Sequence, residues 1–178
     1  SRDGSVLYFS ANRLRPGEPQ RQRDAWTATL RQSRDRHDYD LYRVARDASD
    51  AQKPVPLAAI NTPFDEGSPC VSPAGDFLYF ASDRPDGAGG FDLYRARMLA
   101  GDLAAPESLG SAINSAANEL DPGLSMDGFR LAFSSSRPPH EATPRDDETD
   151  AVDYGLWVSS SREVFGRTDH AAAMAALL

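Results

Sequence analysis

A block of sequence recurs in this chain with its sites in fixed register, and few folds satisfy that. Residues 60–96 read INTPFDEGSPCVSPAGDFLYFASDRPDGAGGFDLYRA, and residues 113–137 read INSAANELDPGLSMDGFRLAFSSSR. Ile60 and Ile113, Asn61 and Asn114, Glu66 and Glu119, Gly75 and Gly128, Phe80 and Phe133, and Arg84 and Arg137 are each 53 residues apart. A further copy opens the sequence as SRDGSVLYFSANR, with Gly4, Phe9 and Arg13 in the same places. Self-similarity at such a period indicates stacked supersecondary units. The expected function is that of a binding or scaffold module rather than of a single catalytic motif.

The best copy reads as four strands. Gly67–Ser72 is a short strand, and Pro73-Ala74-Gly75-Asp76 a tight turn in which Gly75 supplies a positive φ. Phe77–Ser82 (FLYFAS) is aromatic and of high β-propensity. A Gly-rich loop over 83–90 leads to Phe91–Ala96, with Phe91 and Leu93 on one face and Asp92 and Tyr94 on the other. A fourth strand is expected within Glu107–Ile113. The unit is a four-stranded antiparallel meander, with the length of a propeller blade of about 40–50 residues. The copies span about 1–59, 60–112 and 113–165. A tail follows over 166–178, where Ala171–Leu178 suits either two helical turns or a frayed end.

The insertions agree. From Arg13 to Asp40 is 27 residues, from Arg84 to Asp92 is 8, and from Arg137 to Gly155 is 18, whereas Asp40 to Gly75 is 35 and Asp92 to Gly128 is 36. All the length variation falls in the loop between the second and third strands, as expected of copies that share a core and differ in one surface loop.

Charge and composition narrow the partners. A net charge of −8 argues against a phosphate backbone or an anionic membrane surface. No run approaches the ~18 apolar residues of a membrane helix. The one cysteine, Cys70, permits no intrachain disulfide and is expected to be a packed core thiol. Ser1 aligns with Ser72 and Ser125, so the first copy is expected to lack its inner strand.

These residues resemble the WD-like propeller repeat of the TolB propeller, which also occurs in bacterial envelope proteins, some with a peptidoglycan-binding domain. The family pattern is a Ser-Pro-Asp-Gly turn, an aromatic strand, Ser-Asp-Arg, a Gly-rich loop and Asp-Leu-Tyr. The second copy matches with Ala74 in place of the Asp. The first carries Arg2-Asp3-Gly4, Asn12-Arg13 and Asp40-Leu41-Tyr42. The third carries Met126-Asp127-Gly128, Ser136-Arg137 and Gly155-Leu156-Trp157, so its Asp is lost at 155. The resemblance implies an all-β partial β-propeller of about three blades, the first without its inner strand. It implies a periplasmic or extracytoplasmic bacterial setting, and remaining blades supplied by other sequence or another chain.

Several residues could carry function. The recurrent Arg13, Arg84 and Arg137 with Asp40 and Asp92 are expected to form salt bridges closing each hairpin. Asn61, Asp65 and Glu66, and their counterparts Asn114, Asn118 and Glu119, lie in the loop entering the inner strand. In a propeller that loop and the variable insertion share one face, the default binding site. Their oxygens could serve a hard cation, but each loop offers too few, and turn capping is the better account. Neither a metal nor another cofactor is expected. The insertion over 14–38 is basic and carries Trp26, a candidate partner contact; that over 138–153 is acidic. With Arg84, these residues are the candidate binding set. Catalytic constellations are not evident. His37, His140 and His170 lack ligand spacing, and Ser125 begins a β-turn rather than a nucleophile elbow.

The expected function is a non-enzymatic module recognising a protein, peptide or cell-wall partner through its top-face loops. The alternatives are an accessory propeller of a prolyl-oligopeptidase-like hydrolase, or a sugar-active propeller using Glu66 and Glu119, whose carboxylates would need to lie about 5–10 Å apart. The segment is not expected to be stable alone.

Overall fold

The computed structural model describes residues 1–12, 39–46, 53–99, 102–138 and 154–160. Within them are eleven β-strands and no helix, arranged as three antiparallel sheets.

The first sheet holds β1 (Val6–Ala11), β2 (Asp40–Ala45) and β3 (Val55–Pro56) in that order. The second holds β4 (Glu66–Val71), β5 (Phe77–Ser82) and β6 (Asp92–Leu99). Its far side is completed by β7 (Asp102–Leu103), a short hairpin on the end of β6, and by β8 (Glu107–Ser108), which pairs with Tyr94 and Arg95. The third holds β9 (Glu119–Leu124), β10 (Leu131–Ser135) and β11 (Gly155–Ser159). The second sheet thus contains the expected four-strand meander β4–β5–β6–β8, with β7 an element the repeat did not announce. The first has no strand in the inner position among the described residues.

Local chemistry accounts for the strands and turns. FLYFAS forms β5 over its full length, as its aromatic and apolar composition favours. The turns before the second strands carry Gly4, Gly75 and Gly128 at φ of 72°, 75° and 71°, a region other residues adopt only at a cost. Ser72 caps its turn, its hydroxyl accepting from the amides of Asp76 and Phe77 and donating to the Asp76 carboxylate. Ser125 does the same work, bonding Asp127 and the amide of Arg130, so its role is that of a turn residue.

The sheets stack face to face. Between the first and second lie Leu41, Leu57, Ile60, Leu78, Phe80, Tyr94, Ala96 and Leu103; between the second and third lie Ala81, Leu93, Ile113, Leu131 and Phe133. Consecutive residues of one strand, Phe80 and Ala81 or Leu93 and Tyr94, therefore serve different cores. This is the strand alternation, with both faces of the middle sheet covered. Cys70 is only half-buried on β4, not enclosed in a core, and burial pushes its thiol up.

Candidate functional site

The recurrent polar residues gather where one sheet meets the next. Asn61 reaches back to β2, accepting from the Leu41 amide at 2.9 Å and donating to the Leu41 carbonyl at 3.0 Å. Asn114 treats Leu93 of β6 identically, at 2.9 Å in both directions, and adds a bond to the Ser108 hydroxyl. Asp65 accepts from the Tyr39 amide, and Asn118 from that of Phe91. The amides of Glu66 and Glu119 then donate to the carbonyls of Tyr39 and Phe91 at 2.7 and 2.6 Å. Each loop entering an inner strand is thereby hydrogen-bonded, side chain and backbone, along the third strand of the preceding sheet.

A buried carboxylate closes each joint. Glu66 has no exposed surface. It accepts from the Thr62 amide (2.8 Å) and hydroxyl (2.6 Å), the Ser82 hydroxyl (2.9 Å) and Arg84 Nη2 (3.3 Å). Glu119, equally buried, accepts from the Ser115 amide and hydroxyl, the Ser135 hydroxyl and Arg137 Nη2 at 2.9, 2.7, 2.8 and 3.0 Å. Arg84 and Arg137 also donate to Ser82 and Ser135 and to the carbonyls of Ile60 and Ile113. Each guanidinium lies beside an aromatic pair, Phe80 and Tyr94 or Phe133 and Trp157, where cation–π attraction adds to the ion pair.

The twin carboxylates differ in one respect. Burial is the largest influence on both. At Glu66 it holds the carboxyl above its ordinary range despite the four bonds. At Glu119 the bonds from Ser115, Ser135 and Arg137 overcome burial and hold it below. The arginine is one source of the difference: Arg137 Nη2 bonds Glu119 at 3.0 Å, whereas Arg84 Nη2 stands 3.3 Å from Glu66.

Two expectations need correction. The recurrent arginines do not close their hairpins on Asp92: Arg84 pairs with Glu66 and Arg137 with Glu119. Register explains it. Ser82 of β5 stands between Glu66 of β4 and Asp92 of β6, and Arg84 turns toward β4. Asp92 instead accepts from the amides of Ala88 and Gly89 at 2.6 and 3.3 Å, capping the Gly-rich loop. Arg13 lies outside the described residues. The second correction concerns Glu66 and Glu119, read from sequence as part of the binding set on the top face. Each carboxylate is enclosed in its own joint, so neither presents a free oxygen to a ligand or to the other. Asn114 is buried and fully engaged, and Asn61 and Asn118 are half-buried with their side-chain oxygens committed to backbone amides.

Thr62 and Ser115, and Ser82 and Ser135, were overlooked in the sequence although they also recur 53 residues apart; that recurrence was the available signal, but nothing local to a hydroxyl tells that it faces a buried Glu. Trp26 falls outside the described residues. The registers place the ends of β1, β5 and β10 and the starts of β2, β4, β6, β9 and β11 at one end of the stack, so both insertions depart from the same end as the joints. Among the described residues, the exposed rings there are Tyr39, Phe64 and Tyr154. Phe64 sits within the Thr62–Glu66 loop, directly beside the Tyr39–Asp65 bond.

Neither a comparison with protein-family models nor one with curated proteins finds a match. Among solved structures, the chain is similar to a protein described as a TolB from Agrobacterium tumefaciens, with a TM-score of 0.55 and 19% identity over 90% of this chain. That match shows a TolB-like fold. The chain spans 43% of the length of that structure.

Proposed function

We propose that the three sheets are consecutive blades of a partial β-propeller, and that the chain is a non-enzymatic binding module for a protein or peptide. Contact is made through the end that carries the joints and insertions. The observation that carries this reading is a pair of exposed aromatic rings: Phe64, at 40%, on the loop clamped by Asp65 and the buried Glu66, and Tyr39, at 41%, just before β2 and hydrogen-bonded to that loop through its backbone. Aromatic side chains on a rigid support are what protein interfaces use as anchors. Trp26, in the insertion from the same end, would add a third. The similarity to a TolB structure supports a protein partner and an extracytoplasmic, periplasmic setting in a bacterium, with a peptidoglycan-associated partner as the narrower version.

The joints also bear on the ring. Leu41 and Leu93 are fully buried under the loop that follows them, whereas their equivalent Leu156 is 79% exposed. A further blade, from other sequence or another chain, would cover Leu156 with its own Ile-Asn loop.

A photo-crosslinking amino acid at position 64, compared with one at Met126 on the opposite end, tests the binding face. Phe64 should capture a discrete envelope protein. Equal or stronger capture from position 126 would place the partner elsewhere.

A further inference from the structure

Both internal joints make the same set of bonds to the backbone of the strand before them. At β2, the Tyr39 and Leu41 amides donate to the side chains of Asp65 and Asn61. The Asn61 side-chain amide and the Leu57 amide donate to the Leu41 carbonyl, and the Glu66 amide to that of Tyr39. At β6, Phe91 and Leu93 take the places of Tyr39 and Leu41. Asn118, Asn114, Leu109 and Glu119 take those of Asp65, Asn61, Leu57 and Glu66. The isoleucine before each asparagine, Ile60 or Ile113, is buried in the core of its joint.

The third sheet repeats the receiving half of that joint and leaves it open. Tyr154 and Leu156 stand at β11 where Phe91 and Leu93 stand at β6. Among the described residues, nothing bonds their amides and carbonyls from the side that a joint would use. Leu41 and Leu93 are fully buried, whereas Leu156 is 79% exposed. Two residues further on, and so on the same face, the closed joints carry Arg43 and Arg95. At β11 that place holds Val158, 62% exposed. Open backbone groups beside two apolar side chains are what another polypeptide pairs with. The chain has no third loop of its own to cover them. Its two isoleucines are Ile60 and Ile113, both buried in joints, and no asparagine follows Asn118.

We propose that the open edge of β11 docks the entry loop of a further repeat, carried by polypeptide outside these 178 residues, with the pattern Ile-Asn-Ser/Thr-x-x-Asp/Asn-Glu. The proposal rests on the reading of the sheets as consecutive blades, and it specifies what the next one must offer. The asparagine brackets Leu156, because its carboxamide both accepts from an amide and donates to a carbonyl. The Asp or Asn four residues later accepts from the Tyr154 amide. The Glu amide donates to the Tyr154 carbonyl, and the isoleucine covers the Leu156 side chain. A strand that merely added itself to the edge would need none of these side chains. A second copy of this chain fits poorly, because both of its matching loops are already closed in their own joints.

The test adds a fluorescein-labelled synthetic peptide of residues 57–69 to the 178-residue chain. Fluorescence anisotropy should saturate below about 1 mM peptide, and the melting temperature should rise with peptide concentration. Amide exchange read by NMR should slow at Tyr154 and Leu156. The same peptide with Asn61→Ala should bind about tenfold more weakly, having lost both bonds to Leu156. Leu156→Asp in the protein, at an exposed position, should leave the fold intact and abolish binding. No saturation, equal affinity for the alanine peptide, or no cooperative melt with peptide present would each overturn the proposal. So would a concentration-dependent dimer that Leu156→Asp abolishes, which would assign the edge to a second copy, and so would Tyr154 and Leu156 amides already protected without peptide. The blade reading has its own readout. Leu41 and Leu93 amides that exchange as fast as Leu156 before peptide is added would overturn the joints themselves. Slow exchange at Leu41 and Leu93 without docking at Leu156 would overturn this proposal alone.

Discussion

Replacing Glu66 with alanine separates a joint residue from a ligand-facing one. Four donors lose their acceptor: the Thr62 amide and hydroxyl, the Ser82 hydroxyl and Arg84 Nη2. Thr62 is near enough to the surface to recruit water, and the Ser82 hydroxyl can rotate. Arg84 cannot escape. It is 9% exposed, wedged against Phe80 and Tyr94, and keeps its charge at any working pH. Removing one partner of a buried pair costs about 3–5 kcal/mol, mostly the uncompensated charge. Against a total of about 5–15 kcal/mol for a domain, that is a large fraction. The assay is urea unfolding of the shortest form of the protein that unfolds cooperatively, with an unchanged slope confirming that stability alone moved. Arg84→Ala and the double variant complete a cycle, and a coupling of about 0.5–3 kcal/mol is expected. A loss below about 1 kcal/mol with coupling near zero, accompanied by weakened partner binding, would refute the joint and return Glu66 to a ligand site.

Two further outcomes follow. Asn114→Ala removes both bonds to Leu93 and strands its buried amide, although the Leu93 carbonyl keeps the Leu109 amide; a loss of about 2–3 kcal/mol in unfolding free energy is expected, and a loss below about 0.5 would contradict the role given to Asn114. The twin glutamates should show opposite pH slopes in melting series. Glu119, held below its ordinary range, contributes stability that is complete above about pH 4.5 and lost as the pH falls through its lowered value, so Glu119→Gln should blunt the acid transition. Glu66, held above it, loses stability as the pH rises from about 4.5 through its raised value, so Glu66→Gln should remove that fall. Matching slopes for the two variants would contradict the assigned shifts.

Much of the fold was legible because its causes are local. A Gly at the same turn position in three copies, an apolar FLYFAS run and a two-residue alternation specify strands and turns within a few residues of themselves. The short β7 hairpin was not legible, since a two-residue pairing on the end of β6 leaves no pattern. The site was legible as a set of residues but not as a set of roles: Asn61, Asp65, Glu66 and their counterparts were singled out correctly as recurrent polar groups, but recurrence alone cannot tell a joint from a binding face.

What the sequence by itself determined is therefore the repeating unit, its strand order and the end on which its length varies. What only the tertiary structure decided is which partner each polar group takes. Arg84 is 8 residues from Asp92 and 18 from Glu66 along the chain, yet it bonds Glu66, because pairing of β4 beside β5 brings that carboxylate to the same side. Asn61 and Asn114 find their bonds on the strand of another sheet. Asp92 caps the Gly-rich loop through the amides of Ala88 and Gly89 and takes no arginine, a choice that no spacing in the sequence could carry.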